Sequence, residues 1–184
     1  MLSLCGGVET GLYALQQLGI PIREYHTYEI LPEAIAVSQY HFPFVVHHGD
    51  LYEADFEQFK GFDLLLVSTC CQSISRCRIE NKEVNNGLEG KSGIFFKAAE
   101  CLRAIRPKYF MFENVIPSSD EDLKTMTKCI GVEPILIDSG RFSAQSRERY
   151  YWTNIQLGKL PDESPLVLKD IMAVSYTHLR AHET

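Results

Sequence analysis

The chain has 184 residues, of which 45% are hydrophobic, 23% charged and 11% aromatic; this supports one globular domain with a core and excludes a disordered chain. No apolar run approaches the roughly 18–20 residues of a membrane span, and the N-terminus lacks a signal peptide's basic and apolar regions, so the expectation is a cytoplasmic protein with no membrane partner. A net charge of −6 is unusual for a nucleic-acid partner, which needs a basic face or a basic part elsewhere.

Six cysteines occur, Cys5, Cys70, Cys71, Cys77, Cys101 and Cys129. Their spacing fits neither a disulfide scaffold nor zinc knuckles, so no metal is expected and each is by default a small hydrophobe or free thiol.

In chain order, residues 2–4 read as an apolar strand that Gly6-Gly7 turns into a helix over 11–18. A strand follows over 22–29, then a helix over 32–40 with Pro32 in its first turn, and a short strand over 44–46 ending near Gly49-Asp50. Residues 62–67 form a continuous apolar run, the pattern of a strand buried on both faces. Residues 68–91 are polar, with Asn85-Asn86-Gly87 and Glu89-Gly90 as turn signals. Ser92 is placed to cap a helix running to Arg103. A strand over 109–112, a helix over 119–129 capped by Ser118 or Ser119, and strands over 134–137 and 150–153 complete the pattern. Such alternation predicts an α/β fold, a parallel sheet covered by helices on both faces, with ligands outside the carboxyl ends of the strands.

The residues at those ends carry the chemistry. The loop Leu4-Cys5-Gly6-Gly7-Val8-Glu9-Thr10-Gly11 joins a strand to a helix N-terminus, a cradle for a nucleotide-like cofactor and equally a tight turn of any α/β protein. Glu29 ends the second strand, where a carboxylate can accept ribose hydroxyls, and Asp50 ends the third, where it can read an adenine amino group. Singly, each acid reads as a solvated loop residue; their order along successive strands points to a nucleoside cofactor. Cys71 opens the polar loop after the 62–67 strand, at the mouth of the cleft, where cations can activate a thiol; position alone favours a structural cysteine. Glu113 ends an apolar strand between Phe112 and Val115 sequence neighbours, a desolvated setting that suits a proton donor. Arg147 and Arg149, spaced two apart before the strand over 150–153, point the same way in extended chain and suit an anion or a base carbonyl; a solvated basic turn reads as well.

Together these residues resemble the ordered motifs of the DNA (cytosine-5) methyltransferases of phages and bacteria. The first motif is matched from Leu2 to Gly11, the ribose-binding motif by Tyr28-Glu29-Ile30, and the third by Gly49-Asp50. The nucleophile motif is matched by Thr69-Cys70-Cys71-Gln72 with Ser75, and the helix start after the catalytic loop by Gly87 to Phe95. Glu113-Asn114-Val115 and Gln145-x-Arg147-x-Arg149 match the sixth and eighth motifs. The resemblance covers about residues 2–172 and implies a Rossmann-like S-adenosylmethionine-dependent methyltransferase fold, with a mostly parallel sheet. Two positions depart from it: Cys70 stands where the family has proline, which would stiffen the turn, and Cys5 where it has an aromatic ring beside the cofactor.

The resemblance implies transfer of a methyl group from S-adenosylmethionine to carbon 5 of a cytosine flipped out of double-stranded DNA. Cys71 would be the nucleophile, Glu113 the proton donor to N3, Arg149 the O2 ligand and Arg147 a brace for the catalytic loop. Leu4, Cys5, Gly6, Gly7, Glu29, Ile30, Asp50 and Leu51 would hold the cofactor. Gln72, Ser75, Asn114 and Gln145 would meet the substrate. The loop from Ser73 to Gly90 would take the flipped base's place. A monomer in the cytoplasm of a bacterium or phage-infected cell, in restriction-modification or phage protection, is expected. Alternatives are a tRNA cytosine-5 methyltransferase, an inactive S-adenosylmethionine-binding fragment, and a nicotinamide dehydrogenase; the last leaves Glu113 and the arginines idle.

The methyltransferase domain is expected over 1–172. Nothing in the chain matches the target-recognition domain or last two motifs of the family, so the domain is expected to be incomplete. Residues 173–184, with Ser175-Tyr176-Thr177-His178-Leu179-Arg180-Ala181-His182-Glu183-Thr184, resemble translated sequencing-adapter read-through and are expected to be a non-native tail.

Overall fold

The computed structural model describes residues 1–75, 87–162 and 164–171. The 173–184 tail, Cys77 and the Asn85-Asn86 part of the turn signal lie outside them. Seven strands form one sheet in the order β3-β2-β1-β4-β5-β7-β6: β1 (Leu2–Leu4), β2 (His26–Tyr28), β3 (Val46–His47), β4 (Leu64–Val67), β5 (Tyr109–Asn114), β6 (Ile135–Asp138) and β7 (Glu148–Thr153). Five α-helices accompany them among the described residues: α1 (Thr10–Gln17), α2 (Pro32–His41), α3 (Ile94–Ile105), α4 (Asp120–Ile130) and α5 (Leu168–Ile171). The first five strands pair in parallel, while β7 runs antiparallel between β5 and β6. This is the Rossmann-like, mostly parallel architecture read from the sequence. Strand order reverses between β1 and β4, which opens a crevice beyond their carboxyl ends.

The two faces of the sheet differ. Leu4, Val67, Phe112 and Trp152 lie side by side in register on one face, with Leu2, Leu65 and Phe110 alternating along it, all buried. α3 presses Phe95, Ala98 and Ala99 onto that face, and Phe95 meets the rings of Phe112 and Trp152 edge-on at 6.0 and 6.3 Å. Trp152 donates its indole N–H to the Thr127 hydroxyl at 3.0 Å, so its polar atom is satisfied. The opposite face carries Ser3, Thr27, Leu66, Met111, Glu113 and Tyr151. There α1 approaches β4 so closely that a Cβ on Gly11 would lie 2.8 Å from a Leu66 methyl. Farther along, Leu66 and Met111 stay only partly covered. β4 is thus fully buried on one face and partly on the other, a correction to its reading as a strand buried on both.

Element ends moved for identifiable reasons. β2 is shorter than the 22–29 stretch read for it because β1 begins at Leu2: beyond the Leu2–His26 pair only Met1 reaches back, its carbonyl accepting from His26 N–H at 3.0 Å and its amino group donating to the Glu24 carbonyl at 2.6 Å. β7 starts earlier than expected and takes Arg149 into the ladder opposite Ile137. Ser119 caps α4 as read, accepting from the Glu121 and Asp122 N–H groups at 3.1 and 3.4 Å; acidic residues fill the first turn and Gly131 closes the helix at φ 84°. Ser92 does not cap α3. It sits in a 3₁₀ turn (Lys91–Gly93) already in helical register, and its buried hydroxyl accepts from Ser73 N–H at 3.1 Å, tying the loop after β4 to this turn.

Phe95→Ala should remove about 3–5 kcal/mol of stability in a urea titration, because the wedge between α3 and the sheet becomes a cavity. Tyr40→Ala, at a site 84% exposed, should change stability by less than about 0.5 kcal/mol.

Candidate active site

Two loops close around the strand reversal. In the first, Cys5, Gly7 and Glu9 all have left-handed backbone (φ 55°, 60° and 63°), folding the chain back sharply between β1 and α1. The Cys5 N–H donates to the Tyr28 carbonyl at 2.8 Å, while the Gly7 N–H donates to Glu29 Oε2 at 2.9 Å. Glu29 Oε1 accepts from Ile30 and Leu31 N–H at 2.8 and 2.9 Å, serving the start of α2, where Leu31 offers no side-chain cap. The buried Glu29 carboxylate therefore ties the glycine loop to the β2–α2 loop. Asp50 caps the turn Leu51–Glu53 by accepting from Tyr52 N–H at 2.9 Å. Burial pushes the Cys5 thiol up to about 12, and Glu29, Cys70 and Asp50 add to the effect. Leu4 and Leu51 side chains pack into the core, and Ile30 is 61% exposed.

The second loop follows β4. Its Cys71 carbonyl accepts from Ile74 and Ser75 N–H at 3.2 and 3.0 Å, so the nucleophile candidate opens a tight turn. Ser75 bridges to Pro117, while Gln72 is exposed. Asn114 is buried. Its amide nitrogen donates to the Thr69 hydroxyl at 3.1 Å, and its oxygen accepts from Val115 N–H at 2.8 Å. Both ends of that side chain are engaged by the protein, which aligns the end of β5 with the loop bearing Cys71.

At the end of β5, Glu113 Oε2 accepts from the Ser68 hydroxyl at 2.6 Å and Oε1 lies 3.1 Å from Arg149 Nε. The ladder explains the second contact. Glu113 stands opposite Tyr151, and Arg149, two residues before, is its diagonal neighbour on the same face. Arg147 lies just outside β7 and is exposed. Its N–H is held by Asp138 Oδ1 at 2.6 Å, and its side chain reaches the cavity that Glu113 lines. The Gln145 carbonyl accepts from the Ser139 hydroxyl at 2.5 Å and its side chain is exposed.

Arg149 and Glu113 both act electrostatically on Cys71. Burial pushes the Cys71 thiol up first and Cys70 pushes it further; Arg149 pulls it down by less, and Glu113 opposes Arg149. The cation anticipated at this thiol is thus present, but it is partly cancelled by its own carboxylate partner. The resting thiol keeps its proton more firmly than a free cysteine, a correction to the expected activation.

A cavity of about 350 Å³ runs from Glu113, Arg147 and Ser68 to Gly6, Glu9 and Thr10. A larger space, about 500 Å³ beside Lys60, Arg103 and Arg106, holds none of the residues singled out above. Ser68 and Glu9 escaped the sequence reading. Ser68 has no signal apart from lying between a strand end and the cysteines, and the partners of Glu9 are distant in sequence. Among the described residues no group of three or more His, Cys, Asp or Glu side chains is placed to hold a metal ion, and no helix is long and apolar enough to cross a membrane. The loop expected to replace a flipped base lies mostly outside the described residues.

The family model of the C-5 cytosine-specific DNA methylases matches residues 1–165. The type II methyltransferase M.NlaIV of Neisseria lactamica is 32% identical over 127 residues, covering 68% of this chain and 29% of the relative. The orphan methyltransferase M.SPRI of Bacillus phage SPR is 30% identical over 129 residues, covering 64% and 28%. A crystal structure of a DNA modification methyltransferase encoded within an E. coli prophage superposes with a TM-score of 0.65 over 92% of this chain and 53% of that one; at 15% identity this likeness concerns the fold. The chain spans between 24% and 35% of the length of four curated relatives it matches.

Site-resolved alkylation followed by mass spectrometry should label Cys71 more slowly at neutral pH than a free cysteine peptide, with the rate rising in the alkaline range as the thiolate forms. Arg149→Met should slow labelling further, since its charge, together with a backbone hydrogen bond, pulls the thiol down; faster labelling in the variant would contradict the assignment.

Proposed function

Because this chain belongs to the C-5 cytosine-specific DNA methylase family, we propose that it is the catalytic and cofactor-binding part of an enzyme that methylates carbon 5 of cytosine in double-stranded DNA, with S-adenosylmethionine as donor and Cys71 as covalent nucleophile. The observation that carries this reading is the convergence of Cys71, Glu113 and Arg149 from three strand ends, with Glu113 and Arg149 in direct contact.

Cytosine carbon 5 is a poor nucleophile until a thiolate adds at carbon 6. The Cys71 sulfur forms that bond, and the ring's electron pair moves toward N3 and O2. N3 and O2 are adjacent on one edge of the base, and Glu113 and Arg149 are adjacent at the carboxyl end of β5. Glu113 supplies the N3 proton and Arg149 a donor to O2. Ser68 and Arg149 fix both oxygens of Glu113 beforehand, while Asn114 sets the loop on which Cys71 rides. Once carbon 5 carries the methyl group, a water-borne base takes its proton, the electron pair re-forms the 5–6 double bond and expels the Cys71 sulfur, and N3 returns its proton to Glu113. Arg147 braces the loop, and Gln72, Ser75 and Gln145 border the base. The base must leave the duplex first, at a cost of roughly a few kcal/mol.

The cleft suits S-adenosylmethionine, which supplies an electrophilic methyl group. Gly6 and Gly7 allow close backbone approach, and a Cβ at position 6 would collide with the Glu9 carboxylate and the Ser3 hydroxyl beneath it. In this reading Glu29 accepts from the ribose hydroxyls and Asp50, at the next strand end, from the adenine amino group. A cytoplasmic monomer acting in restriction-modification or phage protection completes the reading.

DNA carrying 5-fluorocytosine, offered with S-adenosylmethionine to the full-length protein containing this sequence, should yield a covalent adduct that Cys71→Ala abolishes. An adduct that survives the substitution would sink the assignment. With ordinary DNA and labelled donor, Glu113→Gln should slow transfer by about 10²–10⁴-fold. Label entering tRNA and not DNA would overturn the choice of substrate.

A further inference from the structure

Glu9 takes no part in the chemistry above, yet it is held in place against strain. It is 1% exposed, and its backbone is left-handed at φ 63°, ψ 44°, a conformation that costs a non-glycine residue about 1–2 kcal/mol. Such an outlier at a cleft prompts a search for function. Its Oε1 accepts from the Thr27 hydroxyl at 2.6 Å, and its Oε2 from the Tyr25 hydroxyl. Burial, and then the charge of Glu9, push the Tyr25 hydroxyl up, so Tyr25 keeps its proton and is the donor. Two neutral hydroxyls satisfy the carboxylate without cancelling its charge, and no cation pairs with it among the described residues.

That charge stands directly under the cofactor loop. A Cβ on Gly6 would lie 2.4 and 2.5 Å from the two Glu9 oxygens, so the carboxylate fills the space a side chain at position 6 would take. Glu9 also lines the cavity it shares with Gly6, Thr10, Ser68, Glu113 and Arg147. We infer that Glu9 determines cofactor specificity: its carboxylate is an anionic floor that makes the cleft prefer the cationic sulfonium S-adenosylmethionine over the neutral thioether S-adenosylhomocysteine. The two ligands differ by one methyl group and one positive charge. A fixed buried charge discriminates them and favours release of the spent cofactor. The inference rests on the cofactor reading under the proposed function.

Calorimetric titration of this chain with each ligand tests it without turnover. Glu9→Gln keeps the size of the side chain and removes the charge. Glu9→Gly removes the charge and relieves the left-handed backbone, so it should fold even if Glu9→Gln does not; a thermal melt checks both. The preference for S-adenosylmethionine should fall on the order of tenfold in each variant, the scale of one unit charge acting over about 10 Å at an effective dielectric of about 20, with affinity for S-adenosylhomocysteine little changed. Both ligands binding the variants with the original preference would overturn the role of Glu9 and leave the cofactor reading standing. If neither ligand binds the unmodified chain, the cofactor reading fails and takes this inference with it.

Discussion

The antiparallel insertion of β7 between β5 and β6 is the constraint on which the rest of the site depends. A parallel strand at that place would present a different register and the opposite end. Running backwards, β7 brings its first residues beside the last residues of β5, so Arg149 falls diagonally across from Glu113 on the same face and the two meet at 3.1 Å. The same ladder puts Phe112 opposite Trp152 on the other face, where α3 covers both. One register thus fixes an acid–base contact on the wet side and an aromatic wedge on the dry side. A slip of one residue would exchange the two faces and lose both.

The division of faces extends across the sheet. The side under α3 and α4 is apolar and closely packed. The other side, under α1, keeps Ser3, Thr27 and Glu113 among its residues and holds the cavity between β1, β4 and β5. Three buried polar side chains beside the motif loops are fully bonded: Glu9 has Tyr25 and Thr27, Glu29 has three backbone N–H groups, and Asn114 has Thr69 and Val115. Such fully bonded side chains hold loops in one conformation, because leaving a buried polar group unpaired costs about 1–3 kcal/mol. The loops that carry the motifs are accordingly anchored by buried side chains that belong to the motifs themselves.

Much of this was legible in the linear order of residues. Glycines, Glu29, Asp50, Cys71, Glu113 and Arg149 follow one another at the ends of apolar runs, and short-range patterns of that kind survive folding unchanged. The cap at Ser119 was legible for the same reason, since a cap and its helix are neighbours. Ser92 misled because its hydroxyl could serve its own helix or a loop nineteen residues earlier, and tertiary contact chose the loop. The thiol of Cys71 misled differently. A nearby cation was correctly anticipated, but its effect depends on burial and on the carboxylate that shares it, and both are sums over residues from several elements.

By itself the sequence determined the alternation of strands and helices, the order of the chemical groups at the strand ends, and the family to which the chain belongs. The alternation and the order are properties of periodicity and spacing, which are local; the family follows from the resemblance of the ordered motifs and the family model. The tertiary structure alone decided that β7 runs backwards, that β4 is fully covered on one face only, that Ser68 grips Glu113, and that a charged Glu9 lies under the glycine loop. Each is a contact between residues from about 3 to 45 positions apart in the chain, set by sheet register and burial, which no local pattern encodes.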